Sequence, residues 1–183
     1  KLAAKYEARL AIDDAHSLGV LGRGGRGTAD HFHLTDKVDL IIGTFSKTLA
    51  SIGGYVVGDH KVIDFIKHFG RSIIFSVSLT PASIMAAQTA LHVLKREPER
   101  VERVNANAHY MHENLKSLGF DIGHTQTPII PIMIGDEILT LTLWRELLDA
   151  GVYINPAVYP AVPRERSLLR TSVTSEHTRE QLE

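Results

Sequence analysis

Two short apolar runs, each followed by side chains that can carry chemistry, constrain this chain more than any other feature. Leu10-Ala11-Ile12 leads into Asp13-Asp14-Ala15-His16, and Val38-Asp39-Leu40-Ile41-Ile42 leads into Gly43-Thr44-Phe45-Ser46-Lys47. Short apolar runs of this kind are typical of buried strands in a sheet that helices cover. In open α/β sheets, ligands bind beyond the carboxyl ends of the strands. The two runs therefore predict a ligand site at one edge of an α/β sheet.

The rest of the chain extends this pattern and changes character near Leu118. Residues 1–117 alternate predicted strands with helices, which indicates part of a large α/β domain. Residues 118–183 carry several short strands and one amphipathic helix, which indicates a small, incomplete α+β domain at the C-terminal end. The further predicted elements are a strand at 55–57, helices over 61–69, from Pro81 onward and over 97–118, strands at 129–134, 152–154 and 168–173, and a helix over 138–150.

The composition excludes several classes of function. The 183 residues carry a net charge of -1 and no cysteine, so we expect no nucleic-acid partner, no disulfide and no thiolate metal site. No apolar run reaches the roughly 18 residues that span a bilayer, so we expect a cytoplasmic protein without a membrane span. The ten histidines, His31 and His33 among them, show no spacing typical of a metal site. Both ends look like interrupted helices, so we expect a fragment of a longer protein.

The acid that ends the first run is suited to hold a cationic heterocycle. A carboxylate at Asp13 can pair with a pyridinium N–H, which keeps such a ring able to take up the electrons of a carbanion. His16 lies three residues on and is placed to donate a hydrogen bond to the same ligand or to a substrate. The alternative is that Asp13 and Asp14 only cap a turn and that His16 is a surface histidine.

The lysine that follows the second run is a candidate nucleophile for an aldehyde. Lys47 lies among small and hydroxylic residues that leave room for a bulky cofactor, and Thr44 and Ser46 can donate hydroxyl groups to a phosphate. A carboxylate, an amine and phosphate-binding hydroxyls together are what pyridoxal phosphate (PLP) requires, so the pattern predicts a PLP enzyme. The alternative is an ordinary solvated lysine that follows a strand.

Two further features suit the binding of anions. The run from Gly22 to Gly27 contains G-x-G-x-x-G, but it does not lead directly from a strand into a helix, so we reject a dinucleotide site. Its arginines suit a loop that meets a phosphate or a carboxylate, and a plain loop is the alternative. Arg170 lies in an apolar, strand-like run, where burial of an unpaired arginine is costly. Its partner is either a structural acid or the carboxylate of a substrate.

Taken together, these stretches resemble the α-oxoamine synthase family of fold-type I PLP enzymes. The resemblance covers essentially the whole chain, in order and spacing, and its motifs are Asp13–Gly19, Gly43–Lys47, Gly53-Gly54-Tyr55, Ile74–Pro81 and Leu168–Thr171. It implies the fold of a PLP-dependent transferase. Residues 1–117 would then belong to the large PLP-binding domain and residues 118–183 to the small C-terminal domain.

The resemblance also implies roles toward the cofactor. Asp13 matches the aspartate that pairs with the pyridine nitrogen, and His16 matches the histidine that hydrogen-bonds the phenolic oxygen. Lys47 matches the lysine that forms the Schiff base. Thr44 matches a threonine near the phosphate, and Ser46 lies beside it in the same turn. The resemblance implies no metal ion.

The same resemblance implies a homodimer that uses an amino acid and an acyl-CoA. Thr80 matches a position that reaches the phosphate in the neighbouring subunit, and Arg170 matches the arginine that binds the amino-acid carboxylate. The local sequences are most similar to the branch of the family that condenses L-serine with palmitoyl-CoA. The alternatives are glycine or alanine with a shorter acyl-CoA, and an inactive scaffold subunit. Arg164-Glu165-Arg166 departs from the small turn of the family and leaves the acyl-chain preference open.

Overall fold

The computed structural model describes all 183 residues, which form two compact units, Lys1–Val101 and Glu102–Glu183. The elements up to residue 96 are α1 (Leu2–Lys5), β1 (Ala11–Asp13), α2 (Thr28–His31), β2 (Leu40–Thr44), β3 (Gly54–Gly58), α3 (His60–Phe69), α4 (Arg71–Ile74) and α5 (Pro81–Arg96). The following elements are α6 (Glu99–Ser117), β4 (Ile129–Gly135), α7 (Glu137–Asp149), β5 (Asn155–Ala157), β6 (Ser167–Ser172) and α8 (Arg179–Leu182). Every helix is too short or too polar to cross a lipid bilayer.

The first unit is built on a three-stranded sheet with the order β1-β2-β3. β1 lies parallel to β2, with Asp13 opposite Ile42, and the crossover that parallel pairing requires contains α2. β3 runs antiparallel to β2 and starts where β2 ends, with Gly54 opposite Thr44. The end of β1, the end of β2 and the start of β3 therefore lie at one edge of the sheet.

The observed elements confirm the predicted alternation of strands and helices, with one strand misplaced. Pro81 begins α5 as predicted, because the first position of a helix needs no N–H donor. The strand predicted at 152–154 is wrong, since β5 begins at Asn155 and Tyr153 is 81% exposed in the segment that follows α7. A short apolar run shows no hydrophobic periodicity, so the sequence alone does not distinguish a strand from an apolar connecting segment.

The packing differs from the sequence expectation in a second respect. The strands of the first sheet were predicted to be buried, but Ile42 is 44% exposed and Val57 is 54% exposed in this chain. The predicted domain boundary between residues 117 and 118 stays a prediction. Within this chain, the packing groups most of α6 with the second unit.

Asp14 is a buried anchor for the loop that joins β1 to α2. Its side chain is only 1% exposed, and its carboxylate accepts hydrogen bonds from the Ser17 hydroxyl and from the Thr28 N–H, the latter at 3.1 and 3.2 Å. Its own N–H donates to the Ile42 carbonyl at 2.7 Å. At Gly27, which has φ +97°, an added Cβ would lie 2.1 Å from Asp14 Oδ2. The loop is therefore fixed by one buried carboxylate and by a position that only glycine fits.

The second unit packs a small antiparallel sheet, with the order β4-β6-β5, against its helices. Ile130 of β4 is fully buried and packs with Leu115, Ile122 and Val173. His112 of α6 is also buried, and its Nε2–H donates to the Thr127 carbonyl at 3.0 Å. Burial lowers the pKa of His112, because desolvation disfavours the imidazolium, and the nearby Lys116 and His109 act in the same direction.

The lowered pKa of His112 predicts that acid destabilises the fold. Because the unfolded chain binds this proton at a higher pH than the folded chain, the free energy of unfolding is unaffected above about pH 6.5 and falls below it. In urea titrations at a series of pH values, His112→Gln should flatten this decline. His124→Gln, at an exposed position, should leave the decline unchanged. A native decline in the His112 variant would contradict the assignment.

Replacement of Asp14 should lower the free energy of unfolding much more than replacement of the adjacent Asp13. Asp14→Ala leaves the Thr28 N–H without its acceptor, so the free energy of unfolding should fall by about 3 kcal/mol in urea titrations. Asp13→Ala is the matched control at an exposed position, where only the Ala15 N–H bond is lost, and it should cost about 1 kcal/mol or less. Equal losses in the two variants would show that Asp14 does not anchor the loop.

Candidate active site

The edge at which β1 and β2 end brings the predicted site residues of the first unit together. Side chains alternate between the two faces of a strand, and Asp13 lies opposite Ile42 in the register. Thr44 follows Ile42 by two residues, so Thr44 and Asp13 lie on the same face at the same edge. Lys47 follows three residues later in the turn between β2 and β3. This edge thus carries the carboxylate of Asp13, the hydroxyls of Thr44 and Ser46, and the amine of Lys47.

Asp13 has the geometry of an acceptor that is available to a ligand. Its side chain is exposed, and Oδ1 accepts a hydrogen bond from the Ala15 N–H at 2.9 Å, which fixes the carboxylate at the strand end. The alternative in which both acids only cap a turn is wrong for Asp14, whose carboxylate also accepts the Thr28 N–H, whereas Asp13 does cap the turn and its role toward a ligand stays a prediction. His16 lies exposed three residues on, in the turn that Asp14 holds.

The turn after β2 is ordered by its own hydroxyl groups. Thr44 Oγ1 lies 2.8 Å from Ser46 Oγ and 3.0 Å from the Gly53 carbonyl, and it accepts the Ser46 N–H at 3.1 Å. Lys47 projects from this turn with an exposed side chain, and its amine forms no ion pair or hydrogen bond within the chain. The turn therefore presents a free amine next to two hydroxyls.

A direct contact ties the two loops of the site to each other. The Thr48 hydroxyl donates to the Leu18 carbonyl at 2.8 Å, which links the turn that carries Lys47 to the loop after β1. The approach is close, since a Cβ at Gly19 would lie 2.1 Å from Thr48 Cγ2. The relative placement of Asp13 and Lys47 is thus fixed by backbone pairing and by this contact. The sequence pattern gave no sign of the role of Thr48.

The opposite face of the same edge is packed rather than open. Tyr55 lies opposite Gly43 in the register, and a Cβ at Gly43 would lie 2.3 Å from the Tyr55 ring. The ring stacks on Phe45 with 5.6 Å between centroids. Burial raises the pKa of the Tyr55 phenol, and the nearby carboxylates of Asp14 and Asp13 add to the rise. The phenol therefore stays neutral behind the site.

The glycine-rich run forms a compact loop rather than a phosphate cradle between a strand and a helix. Gly19 N–H donates to the Gly25 carbonyl at 2.7 Å, and Gly27 N–H donates to the Leu21 carbonyl at 2.8 Å. The Arg23 backbone N–H donates to Asp30 Oδ2 at 2.7 Å. The loop is thus held by bonds within itself and to Asp30 of α2, and it does not lead directly from a strand into a helix, which supports the rejection of a dinucleotide site.

Two predicted site residues lie outside this edge. Thr80 is the exposed N-cap of α5, and its hydroxyl accepts the Ser83 N–H at 3.3 Å. Arg170 lies on β6 in the second unit and is half-buried. No acid or other hydrogen-bonding group of the 183 residues pairs with its guanidinium. Of the two partners expected for Arg170, the structural acid is therefore excluded within this chain.

Comparisons with known proteins agree with this architecture. A serine palmitoyltransferase of Sphingobacterium spiritivorum is 51% identical over 183 residues, which are 100% of this chain and 46% of that protein. An 8-amino-7-oxononanoate synthase of Thermoanaerobacter pseudethanolicus is 45% identical over the same shares of both chains. A solved serine palmitoyltransferase of S. paucimobilis, with a bound PLP–myriocin aldimine, superposes with a TM-score of 0.93 at 36% identity over 99% of this chain and 46% of that one.

These relatives confirm the predicted resemblance and the predicted fold class. The TM-score shows that the chain has the fold of a PLP-dependent transferase. The chain spans about half the length of the curated relatives that it matches. The family model for aminotransferase class I and II matches residues 1–183 without a gap at either end. The chain therefore belongs to the aminotransferase class I and II family, and it resembles the α-oxoamine synthases within that family.

Proposed function

We propose that this chain is part of a PLP-dependent α-oxoamine synthase that condenses an amino acid with an acyl-CoA. The observation that carries the proposal is the convergence of Asp13, Thr44 and Lys47 on one edge of one sheet. Two similar relatives, at 51% and 45% identity, are named as a serine palmitoyltransferase and an 8-amino-7-oxononanoate synthase, and both names support this class of reaction.

The residues at the edge fit the functional groups of PLP. The cofactor has a basic ring nitrogen, an aldehyde and a phosphate, and it needs a carboxylate, an amine and hydrogen-bond donors in reach of one another. Asp13 supplies an exposed carboxylate, Lys47 a free amine, and Thr44 and Ser46 a pair of hydroxyls 2.8 Å apart. His16 is exposed in the adjacent turn as a donor to the ring oxygen. This donor set suits PLP.

Each residue then has a defined task. Bound PLP supplies an electron sink for the bond that breaks at the substrate Cα. Asp13 accepts the hydrogen bond of the ring N–H and keeps that nitrogen cationic. Lys47 would hold the cofactor by its aldehyde group, and its Nζ would take the proton from the substrate Cα. His16 orients the ring by donating to its oxygen.

Arg170 is the residue that binds the amino-acid carboxylate in this proposal. A half-buried guanidinium without a partner in the chain is unfavourable unless an anion completes it. A carboxylate matches its planar donors in a bidentate arrangement, which is stronger than a contact with a single donor. The carboxylate is also the group that every amino-acid substrate of this class shares.

L-serine and palmitoyl-CoA are the proposed substrates, and 3-ketodihydrosphingosine, CoA and CO₂ the products. The 51% identity to one serine palmitoyltransferase supports this choice, and it exceeds the 47% identity to an 8-amino-7-oxononanoate synthase. The whole protein is proposed to act as a homodimer, in which Thr80, exposed at the start of α5, reaches the phosphate bound by the other subunit.

CoA release identifies the substrates. The whole protein is offered L-serine, glycine and L-alanine, each with palmitoyl-CoA and with a short acyl-CoA, and the free thiol of CoA is measured. Release confined to L-serine with palmitoyl-CoA is the expected result. Release with glycine or alanine would move the protein to the synthases that use those amino acids. No release from any pair would favour an inactive scaffold subunit.

Replacement of Lys47 tests the cofactor assignment. Lys47→Ala removes the only amine of the edge, so the whole protein should lose the absorbance of its lysine-bound cofactor together with CoA release. Lys61→Ala, which removes an exposed lysine of α3, should keep both signals. Native turnover in the Lys47 variant would falsify the assignment.

Replacement of Arg170 tests the carboxylate site separately from the cofactor. Arg170→Ala should raise KM for the amino acid about 10- to 100-fold, because a charge-assisted bidentate contact is lost, and the cofactor absorbance should remain. Arg145→Ala is the control, since Arg145 forms only an exposed ion pair with Asp149. An unchanged KM would mean that Arg170 has a structural role.

A further inference from the structure

Asn155 is the cross-strand neighbour of Arg170. The register of β5 with β6 places Asn155 directly opposite Arg170, so both side chains lie on the same face of the small sheet. Directly opposed residues of an antiparallel pair have Cβ atoms about 5 Å apart, within reach of one small ligand. The guanidinium and the side-chain amide therefore belong to one surface of the second unit.

This surface is a groove, whereas the other face of the sheet is core. Leu169, next to Arg170 in β6, is 3% exposed, and Ile130 on the same side is fully buried. Arg170 and Asn155 instead line an open groove of about 600 Å³ that lies within the second unit. A ligand that reaches Arg170 from this groove also passes the Asn155 side chain.

Asn155 lines the groove beside Arg170, and its side-chain amide has no hydrogen-bond partner. Its side-chain amide is exposed and forms no hydrogen bond within the chain. Two other polar residues of the groove are already engaged: His177 Nδ1 accepts the Thr174 N–H at 2.9 Å, and Gln181 Oε1 accepts the Thr178 N–H at 3.0 Å. The side chains of Asn155 and of Ser172, which also lines the groove, form no such contact, and of these two residues Asn155 lies directly opposite Arg170.

The chemistry of an amide suits a position between a guanidinium and a carboxylate. Arginine only donates hydrogen bonds and an ionised carboxylate only accepts them, whereas asparagine does both. The amide N–H₂ of Asn155 can donate to the carboxylate, while its Oδ1 accepts from the guanidinium. An acid at this position would neutralise Arg170 and repel the ligand. An apolar residue would leave the guanidinium and the carboxylate with fewer hydrogen bonds.

We propose that Asn155 is a second carboxylate-binding residue, which acts beside Arg170 on the amino-acid substrate. The inference rests on the proposed function, because that function supplies the carboxylate ligand. It predicts that binding depends on the carboxylate of the ligand and not on its side chain. Glycine and L-serine should therefore respond equally to changes at Asn155, and L-serine methyl ester, which lacks the carboxylate, should not respond.

Calorimetric titration of the whole, cofactor-loaded protein tests this inference. Asn155→Ala should raise Kd for L-serine and glycine about 3- to 10-fold, since one hydrogen bond to a charged group is lost. Asn155→Asp, nearly the same shape, should raise both Kd values at least about tenfold, because a like charge then faces the carboxylate. Gln126→Glu is the matched control, because it adds the same charge at an exposed position of the same unit.

The outcomes separate this inference from the proposed function. Native Kd values in Asn155→Asp, a loss confined to L-serine, or an equal loss for the methyl ester would each overturn the role of Asn155. Thermal midpoints measured on the same samples should match that of the native protein, so a fall in the midpoint would assign the effect to folding and also overturn it. Failure of the native protein to bind either amino acid would instead overturn the proposed function.

Discussion

The parallel pairing of β1 with β2 is the constraint on which the candidate site depends. Parallel strands end at the same edge, so Asp13 and Lys47 become neighbours although the crossover separates them in the chain. The register then decides which side chains face the ligand. A slip by one residue would turn Asp13 to the packed face and bring Asp14 to the open one. The Tyr55 ring, which fits only over a glycine at position 43, opposes such a slip.

Because side chains alternate between the two faces of a strand, the adjacent acids Asp13 and Asp14 face in different directions at the end of β1. Asp14 faces inward and satisfies the N–H of Thr28 and the hydroxyl of Ser17, so its charge holds the loop in place. Asp13 faces outward, and its carboxylate is held by one local N–H and is open to a ligand. Because the structural acid Asp14 is separate from the acid proposed to bind the ligand, ligand binding would leave the loop undisturbed. The contact of Thr48 with Leu18 extends the same rigidity to the turn that carries Lys47.

Short sequence motifs correctly predicted the elements whose formation depends on residues close by in the chain. Apolar runs with acids or glycines at their ends predicted β1 and β2, and Pro81 predicted the start of α5. The buried role of Asp14 depends on a partner fourteen residues away, and no spacing in the sequence indicates it. The strand at 152–154 was misplaced for the complementary reason, since cross-strand pairing with Arg170 selects Asn155 rather than the more apolar residues before it.

The sequence alone does not identify the group that pairs with Arg170. An arginine in an apolar strand fits a buried ion pair and a ligand site equally well, because the local pattern is the same in both. Within this chain a neutral amide lies across the strand from the guanidinium and no acid pairs with it, which supports the proposed ligand site. A half-buried cation without a partner reduces the stability of the free protein, and stabilisation by an internal acid would remove the charge that a ligand needs. A neutral amide opposite Arg170 leaves the positive charge of the guanidinium intact for the carboxylate that we propose binds there.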